Sequence, residues 1–180
     1  TWQSNHLGPF LLTELLLPFV ETAYGGRIVN VSSLGHTSSP ALDLANIDSE
    51  EGFGTSMIAY CKSKLANVMH ARELTRRLRD RGNTTVTVNS LHPGVIITEI
   101  SRNMKVSILS RLVFLVDQLR MKTRKDGAQT TLYLALSKEV DGISGGYFSD
   151  CHRKEEAPLA MDDLACKQLY DYSLKAVGLA

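Results

Sequence analysis

The chain has little cysteine: Cys61, Cys151 and Cys166 are an odd number among 180 residues, with no CxxC and no metal-ligand spacing to histidine. That excludes a disulfide framework, and a reducing intracellular compartment is the simpler expectation. Charge of one sign is also lacking. Twenty Lys+Arg against 19 Asp+Glu leave a formal +1, so no long-range field gathers nucleic acid or an acidic membrane. No apolar run reaches the roughly 18 residues of a membrane span, and no secretory leader opens the chain. Repeats and low-complexity linkers are missing too.

What is present is ordinary for one globular domain with a core, at 43% hydrophobic residues. Residues 2–22 carry apolar side chains at helical spacing and stop at Gly25-Gly26. RIVNVSS, from residue 27, and TTVTVNSLHPG, residues 84–94, read as buried parallel strands. Between them lie a polar stretch and an amphipathic helix over 57–81, with Ile58, Leu65, Val68, Met69, Leu74 and Leu78 on one side. Its basic end, RRLRDR at 76–81, reads as a solvated helix terminus favoured by the dipole. Asp126 is expected to cap a helix running to about Ser137, GGYFSD at 145–150 to form a third strand, and a last helix to span about Asp162 to Val177. Alternating strands and helices predict an α/β domain with a parallel sheet, although three strands fall short of the five or more of a doubly wound one.

Tyr60 and Lys64 stand four residues apart on the long helix and so share a face. An ammonium about 5 Å from a phenol at an effective dielectric near 20 favours loss of the phenol proton by roughly 3 kcal/mol. Desolvation opposes this. Such a tyrosine can exchange a proton with a carbonyl or alcohol oxygen near neutral pH, given a second group to hold that oxygen. Ser33, at the carboxyl end of the first strand, is placed for it, though alone it reads as a turn residue that ends the strand.

The succession NHLGPF, RIVNVSS, YCKSK and HPGVIIT resembles the short-chain dehydrogenase/reductase family over nearly the whole chain. The resemblance implies a Rossmann-like doubly wound α/β sheet and a catalytic set of Asn5, Ser33, Tyr60 and Lys64. Tyr60 would be the general acid/base and Ser33 would orient the substrate oxygen. Lys64 would acidify Tyr60 and, with it, bind the nicotinamide ribose; Asn5 would hold a relay water. PGxxxT matches Pro93, Gly94, Ile96 and Thr98, implied to hold the carboxamide, while locally the same residues read as a Pro-Gly turn. Pro9 has no amide hydrogen for the Asn5 carbonyl, which either frees that carbonyl for water or simply kinks the helix.

The 27-residue step from Ser33 to Tyr60, with AYCKSKLAN, LHPGVIITEI and GGYFSDC, is similar to the retinol dehydrogenase-like branch. This implies a small apolar alcohol or carbonyl substrate and NADP(H) ahead of NAD(H). Segment 104–121, with Leu112 and Leu115, reads either as an apolar lid that touches a bilayer surface or as a helix buried by the domain. The family's Gly-rich phosphate loop and NNAG stretch are not found, nor is the residue that selects the cofactor. Residues 1–180 are therefore expected to be the C-terminal portion of a single domain lacking its N-terminal strands, and inactive alone. An N-terminal anchor in the missing part would tie the protein to the endoplasmic reticulum membrane. Self-pairing through the two long helices is a family habit. An epimerase-like enzyme and a non-catalytic binding protein are the alternatives.

Overall fold

A computed structural model describes residues 1–47, 49, 52, 54–96 and 122–180. Thr98 and segment 104–121, with the roles expected of them, lie outside the described residues. The chain opens on a π-helical turn, Gln3–Leu7, that runs into helix α1, Gly8–Thr22. Strand β1, Arg27–Val31, follows, then a short 3-10 helix, Leu34–Ser38, and the long helix α2, Ser56–Asp80. Strand β2, Thr87–His92, precedes α3, Arg124–Leu136; β3, Tyr147–Ser149, turns into β4, His152–Lys154, and α4, Asp163–Ala176, closes the chain.

The sheet order is β1-β2-β3-β4. The first three strands are parallel, with Val31 opposite Leu91 and Leu91 opposite Phe148, as the β-branched runs predict. β4 was not expected. It pairs antiparallel with β3 through a turn at Asp150 and Cys151, whose φ values of 54° and 60° are left-handed in both central positions. Neither residue is glycine, so the usual hairpin signal is missing from the sequence.

Helix α2 is buried on more than its apolar stripe. Leu65, Val68, Met69, Leu74 and Leu78 are buried as expected, while Ile58 is exposed at the helix start. Ser63, Asn67, His70 and Glu73 are buried too, because the π-helical turn and α4 cover the side that the sheet leaves open, while Thr75 is buried against Val88 of β2 and Ser144. Arg76 and Arg77 correct the reading of RRLRDR as merely solvated: both clamp the Glu73 carboxylate at 2.7 Å, and Arg77 lies 4.0 Å over the Tyr170 ring. Burial pushes the Glu73 carboxyl up, yet the hydrogen bonds and charges of Arg76 and Arg77 together hold it below its usual value. At α3 the cap is Thr123, and Asp126 completes a capping box from the third helical position.

Candidate active site

The carboxyl end of β1 is laced to the third and fourth turns of α2. Ser32 donates to the Lys64 carbonyl at 2.7 Å, Asn67 donates to the Val31 carbonyl at 3.2 Å, and the Lys64 ammonium reaches the same carbonyl at 3.1 Å. These bonds put Ser33, one residue further on, against the helix face that carries Tyr60. A methyl group at Gly35 would meet Tyr60 Cε1 at 3.3 Å and Ser33 Oγ at 3.6 Å, so both side chains face one small space. Lys64 Nζ sits 5.6 Å from the Tyr60 ring centroid. Burial pulls the Lys64 ammonium below the ordinary lysine value.

Ser33 Oγ accepts from the Gly35 amide at 3.1 Å. With an acceptor site engaged, its hydroxyl proton is the part left to offer to a ligand oxygen.

Asn5 joins this set indirectly. Its amide donates to Ser63 Oγ at 3.1 Å, and Ser63 donates to the Tyr60 carbonyl at 2.7 Å. The widened turn of Gln3–Leu7 includes Asn5, whose carbonyl Pro9 deprives of its normal α-helical amide partner. Pro93 and Gly94 lie just past β2, beside the Ser33 strand end, and Gly94 has φ +91°. Ile96 bridges to Lys122, whose stem passes over Gly94, so anything seated on Gly94 must displace a flexible lysine paired with Asp150.

Three more side chains belong here. Among the described residues the Tyr147 hydroxyl is buried without a partner, and burial first, then the nearby Tyr60, pushes it up to about 12. His36 packs on the Tyr147 ring at 4.4 Å, and His92 Nδ1 is a second buried atom without a partner among those residues. Tyr147 sits in GGYFSD, a segment legible as a strand, but nothing in the spacing says that its ring turns toward Tyr60.

The short-chain dehydrogenase family model matches residues 1–107. The chain belongs to this family. Human retinol dehydrogenase 14 is 44% identical over 176 residues, which is 97% of this chain and 51% of that protein; human retinol dehydrogenase 12 is 39% identical over 175 residues, covering 97% and 53%. The short-chain dehydrogenase is therefore retinol dehydrogenase-like, and it spans about half the length of the curated relatives it matches. An uncharacterized protein from Mycobacterium paratuberculosis shares the fold at TM-score 0.69 and 24% identity, over 97% of this chain and 57% of its own. This supports a Rossmann-like α/β fold, as the sequence suggested. Among the described residues no helix is long and apolar enough to cross a membrane, and no group of three or more His, Cys, Asp or Glu side chains is placed to hold a metal.

Proposed function

We propose that the full-length protein carrying this chain is a nicotinamide-dependent oxidoreductase that interconverts an apolar alcohol, retinol-like, with its aldehyde or ketone. The observation that carries this is the shared space of the Ser33 hydroxyl and the Tyr60 ring beside Gly35, with Lys64 Nζ 5.6 Å from the ring centroid.

The residues fit the nicotinamide end of a cofactor. Lys64 makes one bond to the Val31 carbonyl at 3.1 Å, which leaves two ammonium hydrogens for ribose hydroxyls. Tyr60 would share the ribose, and the backbone of Pro93, Gly94 and Ile96, with Thr98, would hold the carboxamide. A bound nicotinamide supplies or removes the hydride, and NADP(H) is preferred over NAD(H) by analogy with the branch.

The chain's own residues manage the substrate oxygen. Ser33 donates its free hydroxyl proton to that oxygen, which fixes it toward Tyr60. Tyr60 gives the oxygen a proton in reduction and takes it in oxidation. Lys64 stabilises the resulting phenolate by its charge. Asn5 is tied through Ser63 to the Tyr60 backbone, and by analogy with the family it would hold the water that relays the proton.

Turnover of retinal with NADPH by the full-length protein tests this. Tyr60→Phe should lower kcat on the order of a hundredfold or more while NADPH still binds. Unchanged turnover in Tyr60→Phe would remove Tyr60 as the acid/base, and NADPH binding with no turnover by the unmodified protein would favour a binding role.

A further inference from the structure

His36 lies at the centre of the 3-10 helix that follows Ser33, and it is completely buried. Its two ring nitrogens face different kinds of group. Nδ1 is 2.8 Å from the Ser33 carbonyl, which can only accept, and Nε2 is 3.2 Å from the Ala157 amide, which can only donate. The proton therefore sits on Nδ1, and the ring is neutral. Burial, the largest effect, lowers the His36 pKa, in keeping with a neutral ring; the Ser33 carbonyl and Glu156 act the other way.

The ring also packs on Tyr147 at 4.4 Å, and the Tyr147 amide donates to Glu156 Oε1 at 3.2 Å. His36 thus connects the serine loop to a segment 121 residues away in sequence. The Ser33 carbonyl takes a second bond, from the His36 amide at 3.1 Å. The Ser33 carbonyl is thus held twice by His36, through its backbone amide and its ring. Since Ser33 Oγ is itself held by the Gly35 amide in the same turn, any rotation of that turn moves the hydroxyl.

We propose that His36 is a positioning residue for Ser33: its neutral imidazole clamps the serine turn to Ala157, so that the hydroxyl stays aimed at the space beside Tyr60. This rests on the oxidoreductase reading, and its consequences differ from those of that reading.

The test uses the full-length protein and steady-state turnover of retinal with NADPH. His36→Ala should lower kcat roughly tenfold or more with the KM for NADPH changed by less than about twofold, because a small misplacement of an orienting group acts on the chemical step. His36→Asn keeps a short amide donor for the Ser33 carbonyl and should recover kcat to within about threefold of the unmodified protein. The deciding measurement is the Ser33→Ala background. There, His36→Ala should add less than about a twofold further loss, since two residues acting as one unit are not additive. A full tenfold loss in that background, or no loss in the single variant, overturns the proposal. Nitrogen-15 spectra of the unmodified protein should report the Nδ1–H tautomer, and an Nε2–H ring would overturn it without any variant. If the unmodified protein shows no turnover, the oxidoreductase reading fails instead, and the tautomer measurement still stands.

Discussion

Acid should destabilise this protein through two buried histidines. His6 and His70 are 1% and 4% exposed, and their rings lie 6.4 Å apart. Burial first lowers His6 to about 4, opposed by the Asn67 hydrogen bond; burial and the charge of His6 lower His70 to about 3. In an unfolded chain each imidazole titrates near the ordinary value of 6.5. Below that value the unfolded state binds protons that the folded state refuses, so stability falls as pH falls, by about 1.4 kcal/mol per pH unit for each ring. The contribution is complete above pH 6.5 and is lost down to about pH 4 for His6 and about pH 3 for His70.

Between pH 7 and pH 5 each ring should cost about 2 kcal/mol, and the pair about 4 kcal/mol. For a domain of this size that corresponds to a Tm lower by roughly 10 °C. His36 and His92, also lowered mainly by burial, add in the same direction. Glu14, raised mainly by burial, opposes them over the carboxylate range. Urea unfolding at several pH values gives the slope directly. His70→Gln should lower the slope between pH 6 and pH 5 by about one proton, whatever it does to the absolute stability. An unaltered slope in His70→Gln, and likewise in His6→Gln, would refute the claim that these rings are held neutral by burial.

Ser63→Ala should reduce turnover of the full-length protein several-fold while leaving Tm within about 1 kcal/mol equivalent, because it cuts the link from Asn5 to the Tyr60 carbonyl; equal activity would detach Asn5 from the site. Glu73→Ala should destabilise by only about 1 kcal/mol in urea unfolding, since Arg76 and Arg77 lose the carboxylate both clamp but are partly exposed and keep Asp80 and Asp171. Leu74→Ala, at a fully buried position, should cost about 2–5 kcal/mol in the same measurement. Thr123→Ala removes the cap of α3 and should cost about 1 kcal/mol, an effect visible as faster amide exchange in residues 124–127.

Much of the fold was legible because its signals are local. The β-branched runs produced β1 and β2 in parallel, the helical period located α2, and Asp162 capped α4 where the last helix was expected to begin. The Tyr60–Lys64 pair was legible for the same reason, since a spacing of four fixes a shared helix face before any packing is known. Other features were not. β4 depends on a turn whose residues carry no hairpin signal, and the burial of Glu73 depends on α4 and two arginines meeting over α2.

The sequence by itself determined on which element each candidate residue rides, because helical and strand periods, caps and motif order act between near neighbours. Only the tertiary structure decided that the Ser33 hydroxyl and the Tyr60 ring share one space, that His36 reaches Ala157, and that His6 meets Ser173. Those meetings join residues far apart in the chain. They follow from how the sheet, the π-helical turn and the C-terminal helix close around α2, and no local pattern specifies that closure.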